Sequence, residues 1–256
     1  MKSLIIFLHF HKAGGTSINH AFNRYQKYCG NLNGNPAKRL TVVDYWNYTK
    51  EQLHSFVGSM FYGRVEFICL EWNFFVNYDT IDYRQLDLIT CIRDPYHRFL
   101  SCLSYYERSD YVAYNQETQL CGYRQTSNNQ KFPINVNKYN YYVKMLNGLG
   151  QQSDIEVNHQ HLEIAKNNLH KFSAILILEN PQSFRLLHKY GINHIGQHNK
   201  SNKYRIDPNT VPLAKFKHNN QYDYKLYDYA CSLSNKQLEK LSHSSKHTNT
   251  EQPTRT

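Results

Sequence analysis

The sequence predicts a single α/β domain with three layers, in which a central, mainly parallel sheet is flanked by helices. Short apolar runs at 3–10, 65–70, 86–92 and 174–178 have the length and composition of buried strands. Amphipathic segments separate these runs, and a crossover helix is the usual connection between parallel strands. An apolar fraction of 40% excludes a disordered chain. We expect the domain to cover residues 1–241 and a disordered tail to follow at 242–256.

The first half of the chain is expected to contain two helices between its strands. The strand at 3–10 leads through a glycine-containing turn into a helix at 16–28. A second helix is expected from Thr49 to about residue 61. The Thr49 hydroxyl can cap the first turn while Gln52 reaches back to the cap, which is the pattern of a capping box.

The second half begins with the strand at 86–92, and a helix is expected to follow it. Asp94 as N-cap and Pro95 as first helical residue begin a helix that runs toward residue 108. Asn180 and Pro181 give the same signal after the strand at 174–178. The remaining expected helices lie at 136–146, stopped by Gly148, at 159–169, at 181–190, closed by Gly191, and at 222–241.

The balance of charge favours an anionic partner. Lys and Arg number 30 against 20 Asp and Glu, which gives a formal net charge of +10. A nucleotide cofactor, an acidic glycan and nucleic acid all fit this charge. The apolar runs are too short for a signal peptide or a membrane span, so we expect a soluble, cytoplasmic chain with no membrane span, in a bacterial or viral setting.

The cysteines and histidines give no metal pattern. The six cysteines form no CxxC pair and have no spacing typical of metal ligands. They are Cys29, Cys69, Cys91, Cys102, Cys121 and Cys231. His9 and His11 would share one strand face, but two ligands do not make a site. We therefore expect no metal.

The turn after the first strand has the composition of a phosphate-binding loop. A strand, a glycine-rich turn and a helix together present backbone N–H groups and a positive dipole end to an anion. Two glycines can also form a simple tight turn, but a cation and two hydroxyl donors beside them are the groups that an anion needs. The order is not a Walker A loop, in which Lys follows the second glycine. The turn reads His11, Lys12, Ala13, Gly14, Gly15, Thr16 and Ser17.

This loop resembles the 5′-phosphosulfate loop of sulfotransferases, particularly the membrane-associated carbohydrate sulfotransferases of the heparan-sulfate type. Their loops read like Pro-Lys-Thr-Gly-Gly-Thr, and His11 stands here in place of the proline. Residues 92–101 are similar to the same family's 3′-phosphate motif, which Arg93 and Ser101 match residue by residue. An Arg fork and a Ser hydroxyl suit a phosphate that ordinary nucleotides lack. Looser similarity covers the segments 140–148, 165–178 and 223–230.

The resemblance implies a P-loop-like three-layer fold and a donor, 3′-phosphoadenosine 5′-phosphosulfate (PAPS), with no metal. The acceptor it implies is a hydroxyl of a carbohydrate or glycoconjugate. Lys12 would stabilise the departing bridging oxygen. Lys200, in a basic loop at 192–211, is a further candidate for donor binding.

Many members of that family carry their catalytic base, a His in a Gly-His pair, after the strand that precedes the 3′-phosphate motif, and others use Glu. This chain has Glu71 at that place, at the end of a predicted strand where parallel sheets hold their sites. Glu71 is therefore the first candidate for the base that deprotonates the acceptor. His54 in the second helix and Glu66 near the strand start are alternatives.

Two other functions stay open at this point. A nucleotide kinase-like phosphoryl transferase would share a phosphate-cradling loop, although it should also show a Walker A loop and carboxylates for Mg²⁺. A basic nucleic-acid-binding protein would fit the charge and the 22 tyrosines, although the chain has no RNP, helix-turn-helix or zinc-finger pattern.

Overall fold

The computed structural model describes fourteen stretches of the chain, and the account below is confined to them. They are residues 3–24, 40–42, 49, 51–52, 54–55, 57–58, 67–71, 75, 86–107, 121–125, 131–134, 139–149, 155–196 and 212–247.

Five parallel strands form the main sheet, in the order β2-β3-β1-β4-β7. The strands of this sheet are β1 (Leu4–His9), β2 (Leu40–Val42), β3 (Phe67–Glu71), β4 (Leu86–Ile92) and β7 (Phe172–Ile177). A separate antiparallel pair, which the sequence did not predict, is formed by β5 (Cys121–Gln125) and β6 (Lys131–Ile134).

Helices precede, connect and follow these strands. The α-helices are α1 (Gly15–Arg24), α2 (Pro95–Glu107), α3 (Tyr141–Leu146), α4 (His159–Leu169), α5 (Leu213–Asn219) and α6 (Gln221–His247). Pro181–Tyr190 forms a 3₁₀ helix. Residues 51, 52, 54, 55, 57 and 58 are also helical.

Helices cover both faces of the sheet, which confirms the predicted three-layer α/β fold. On one face, Ile6 and Leu8 of β1 belong to a buried cluster with side chains of α3, α4 and α6. On the other face, Phe7 belongs to a second cluster with side chains of α1 and the 3₁₀ helix. Alternate residues of β1 thus enter different cores, which explains why its sequence is apolar throughout.

The capping signals read from the sequence are confirmed. The N–H of Gln52 donates to Thr49 Oγ1 at 3.2 Å and Gln52 Oε1 accepts from the Thr49 N–H at 2.8 Å, a complete capping box. Asp94 Oδ1 accepts from the His97 N–H at 2.9 Å, and α2 begins at Pro95. β4 and α4 have the predicted bounds.

The larger differences from the prediction are two helix boundaries and one helix type. α3 begins at Tyr141 because Asn140 adopts a left-handed conformation with φ of 58°, which a helix cannot contain. Pro181–Tyr190 is a 3₁₀ helix, although the predicted cap at Asn180 is present, with its side chain accepting from the Gln182 N–H at 3.1 Å. α6 continues to His247, beyond its expected end at residue 241 and into the segment expected to form the tail.

Candidate functional site

The carboxyl end of the sheet brings the sequence-predicted elements together. β1 lies between β3 and β4, and His9 at the end of β1 is paired with Glu71 at the end of β3. Arg93 directly follows β4 at the same edge. Ligands of parallel α/β sheets bind outside this edge, so the candidate residues stand where such a fold places its site.

The loop between β1 and α1 follows a tight path. Lys12 and Gly14 both have positive φ, of 62° and 83°. The N–H of Ala13 donates to the Phe10 carbonyl at 3.2 Å, and α1 then begins at Gly15. A lysine with a left-handed backbone is uncommon and costs free energy. Strained backbone of this kind is most often found at functional sites.

The two glycines of the loop are required for different reasons, Gly14 by its φ of 83° and Gly15 by its packing. A Cβ at Gly15 would overlap the imidazole ring of His9, and a Cβ at Gly14 would lie 2.7 Å from Leu178 Cδ1. The loop therefore rests on the end of β1 on one side and on the residue after β7 on the other. Close approach to the His9 ring is the physical reason for Gly15, and the left-handed backbone is the reason for Gly14.

Two buried histidines, one at the end of β1 and one at the first position of the loop, are neutral at pH 7. His9 stacks on Phe7 at 5.5 Å between ring centroids. Burial, with the charge of Lys12 as a smaller cause, lowers the pKa of His9 to about 4. Burial lowers the pKa of His11 well below its usual value too, aided by Lys12, His9 and Arg98.

Arg93 connects the two segments that the sequence predicts to bind phosphate. Its Nη1 donates to the carbonyl oxygen of Lys12 at 3.3 Å, and its Nε lies 3.7 Å from Glu179 Oε1. The second carboxylate oxygen of Glu179 accepts from the Asp94 N–H at 3.2 Å and from the Tyr227 hydroxyl at 3.1 Å. Arg93 therefore lies against the loop in a defined place, with one fifth of its side chain exposed.

The rest of the segment predicted to bind a 3′-phosphate lies along α2. Ser101 is in the second turn of that helix and is partly exposed. Arg98 of the same helix is only 2% exposed and stacks on the Tyr141 ring at 4.1 Å.

Sequence reasoning missed two tyrosines at this edge. The Tyr141 hydroxyl accepts from the backbone N–H of His11 at 3.1 Å. The Tyr142 hydroxyl accepts from the N–H of Arg93 at 3.1 Å and donates to its carbonyl oxygen at 2.9 Å. An adjacent Tyr pair beside Val143, Met145 and Leu146 was the available signal, because buried phenols need hydrogen-bond partners.

The remaining predicted residues are placed less fully. Glu71 ends β3 at the correct edge, although its side chain is not among those described. His54 lies in the helical segment between β2 and β3 and is partly exposed. Lys200 and Glu66 lie outside the described residues, whereas Thr16 and Ser17 form the first turn of α1.

A groove of about 360 Å³ opens beside the loop. Gly14 and Ser17 line one side, and Arg185 and His188 of the 3₁₀ helix line another. Leu178, Pro181 and Ile195 add apolar surface. A mixed lining of this kind beside a helix N-terminus suits a ligand with a flat apolar part and an anionic group.

No known protein family and no curated protein matches this chain. Among the residues that the structure describes, no helix combines the length and the apolar character of a membrane span. Within the same residues, no group of three or more His, Cys, Asp or Glu side chains is placed to hold a metal ion.

Proposed function

We propose that this protein is a sulfotransferase that moves the sulfuryl group of PAPS to a hydroxyl of a carbohydrate or glycoconjugate. The observation that carries the proposal is the hydrogen bond from Arg93 to the Lys12 carbonyl at 3.3 Å. It brings a loop suited to a 5′-phosphosulfate and an arginine suited to a 3′-phosphate together at the carboxyl edge of a parallel sheet.

Donor binding follows from the groups at this edge. The first N–H groups of α1 and the positive end of its dipole favour the 5′-phosphosulfate. Lys12 supplies a cation at the loop, and Arg93 can offer a fork of N–H donors to the 3′-phosphate. The groove between Ser17 and Pro181 has a lining that suits the adenosine.

The chemistry is an in-line displacement at sulfur. The acceptor hydroxyl gives its proton to a base, and its oxygen forms a bond to sulfur. The bond from sulfur to the bridging oxygen breaks, and its electron pair stays on the 5′-phosphate, where Lys12 stabilises the added negative charge. Glu71 is proposed as the base, with His54 as the alternative.

The surroundings of the site agree with these roles. His9 and His11 stay neutral at pH 7 because burial lowers their pKa values, so Lys12 and Arg93 supply the positive charge at the loop. The formal net charge of +10 favours an anionic donor and an acidic glycan. A cytoplasmic location is also proposed, since the described cysteines Cys69, Cys91, Cys102 and Cys231 are free thiols, as a reducing compartment maintains them.

The test is incubation of the full chain with sulfur-labelled PAPS and a panel of glycans, followed by separation of labelled products. Transfer of label to a glycan supports the proposal. Label that stays on the donor throughout the panel, together with weak binding of 3′-phosphoadenosine 5′-phosphate, contradicts it. A parallel salt titration with DNA distinguishes a nucleic-acid-binding protein, because that affinity falls steeply with salt.

A further inference from the structure

Two adjacent tyrosines at the start of α3 each hold one of the two phosphate motifs. The Tyr141 hydroxyl accepts a hydrogen bond from the His11 N–H of the loop, 130 residues away in the chain. The Tyr142 hydroxyl accepts from the N–H of Arg93 and donates to its carbonyl oxygen, 49 residues away. The distance between the loop and the start of the 3′-phosphate motif is therefore bridged by two neighbouring residues of one helix.

These tyrosines are buried neutral phenols. Tyr141 is 1% exposed and Tyr142 is fully buried, and burial raises the pKa of both hydroxyls, that of Tyr141 to about 12. A neutral phenol can accept one hydrogen bond while donating another, which is what Tyr142 does at Arg93. Loss of the Tyr141 hydroxyl removes this partner from a buried backbone N–H, and loss of the Tyr142 hydroxyl removes it from a part-buried one.

Arg98 packs the two rings together. Its guanidinium carbon lies 4.1 Å from the Tyr141 centroid and 5.5 Å from the Tyr142 centroid. The two rings themselves meet edge to face at 5.4 Å. Among the described residues, none accepts a hydrogen bond from Nε or Nη1 of Arg98, so stacking on the aromatic rings is its main contact.

The start of α3 is fixed in turn by α6. The carboxylate of Asp223 accepts from the Tyr142 N–H at 3.1 Å and from the Val143 N–H at 3.0 Å. In the opposite direction, Asn140 Oδ1 accepts from the N–H groups of Tyr222 and Asp223 at 3.0 and 3.2 Å. Each helix caps the other, so the tyrosines project from a rigid base.

We propose that Tyr141 and Tyr142 are positioning residues that set the spacing between the 5′-loop and the 3′-phosphate motif and so match the site to a nucleotide carrying both phosphates. This inference rests on the proposed donor. Tyr141 acts through the backbone of His11, and Tyr142 acts through the backbone of Arg93. The two hydroxyls therefore have different effects on different parts of the ligand.

The test compares Tyr141→Phe and Tyr142→Phe by calorimetry with 3′-phosphoadenosine 5′-phosphate and adenosine 5′-phosphate. Tyr142→Phe is expected to weaken the first nucleotide about tenfold and to leave the second within about twofold, since only the 3′-phosphate meets Arg93. Tyr141→Phe is expected to weaken both by a similar factor, because both carry a 5′-phosphate. Tyr190→Phe is the control, because it removes a tyrosine hydroxyl that contacts Ser173 Oγ at 3.2 Å near the start of β7 and neither His11 nor Arg93.

Hydrogen exchange in the nucleotide-free protein adds a measurement that needs no ligand. The Arg93 amide is expected to exchange faster in Tyr142→Phe and the His11 amide faster in Tyr141→Phe, with neither changed in Tyr190→Phe. If the wild-type protein prefers the 3′-phosphorylated nucleotide and Tyr142→Phe keeps the full preference, the positioning role alone is overturned. Absence of the preference in the wild-type protein overturns the proposed donor and the inference together.

Discussion

The guanidinium of Arg93 donates a hydrogen bond to the backbone carbonyl of Lys12, a residue 81 positions earlier in the chain. The two residues follow neighbouring parallel strands, β1 and β4, whose carboxyl ends meet at the same edge. The contact engages the backbone of Lys12, not its side chain. Substitutions of Lys12 and Arg93 can therefore test the two proposed roles separately.

Arg93→Ala is expected to remove the preference for 3′-phosphoadenosine 5′-phosphate over adenosine 5′-phosphate. Loss of a charge-assisted hydrogen bond to the 3′-phosphate corresponds to a fall of about ten- to a hundredfold in affinity for the first nucleotide. Calorimetry measures both affinities. Lys189→Ala is the control, because it removes the same charge at a residue paired with Asp87 near the start of β4. Equal affinities of the wild-type protein for the two nucleotides would refute the assignment.

Lys12→Ala is expected to lower the rate of transfer by roughly a hundredfold or more, the scale for one preorganised charge-stabilising group. Donor affinity should fall less, since the N–H groups of α1 remain. Single-turnover kinetics with labelled donor separate the two effects. An unchanged single-turnover rate would show that Lys12 does not stabilise the departing oxygen.

Glu71→Gln is expected to slow transfer by roughly a hundred- to ten-thousandfold while product nucleotide binds as in the wild type, because only the base is lost. The comparison variant is His54→Ala, from the helical segment between β2 and β3. If Glu71→Gln keeps its activity and His54→Ala loses it with an unchanged circular dichroism spectrum, the base belongs to that segment.

Gly15→Ala is expected to destabilise the fold by about 1–3 kcal/mol, because the added Cβ overlaps the ring of His9, which is 4% exposed and has little room to move. Gly58→Ala is the matched control. A Cβ at Gly58 meets nothing within 4 Å in a helical segment, so this change should be neutral or stabilising by up to about 1 kcal/mol. Urea denaturation measures both; equal effects of the two changes would contradict the packing of the loop on His9.

The pH dependence of stability is expected to carry a contribution from His9. Its pKa falls from 6.5 when unfolded to about 4 when folded, so the unfolded chain takes up the proton first as the pH drops. The stabilisation is present above pH 6.5 and is lost toward pH 4, with a total on the order of 3 kcal/mol.

The measurement is the free energy of unfolding of wild type and His9→Gln between pH 7.5 and pH 4.5. The wild type should lose stability relative to the variant as the pH falls. Asp223 acts in the opposite direction, because burial raises its pKa to about 6, but it is common to both proteins and cancels in the difference. Parallel curves would show that His9 does not titrate as its burial requires.

Local signals in the sequence predicted a large part of the fold. The bounds of β4 could be predicted because its mainly apolar run is followed by a helix cap and a proline. Thr49 and Gln52 formed the expected capping box. The left-handed Asn140 could not be predicted, since its conformation is held by contacts to Asn219, Asn220 and α6 some 80 residues away.

The sequence predicted those parts of the candidate site that form continuous motifs, and it did not predict contacts between distant residues. The loop and Arg93 lie at strand ends, where local pattern and sheet topology agree. The roles of Tyr141 and Tyr142 depend on which backbone groups their hydroxyls reach across the sheet edge, and no local pattern contains that information.

The mutual capping of α3 and α6 also determines when the site can be assembled during synthesis. α3 has six residues, too few to persist as a helix without tertiary contacts, and its first N–H groups are satisfied by Asp223 from α6. A nascent chain that already contains the loop at residue 12 therefore lacks the support of that loop until the last helix has left the ribosome. The earliest-made part of the site therefore becomes rigid only after a late-made helix has formed.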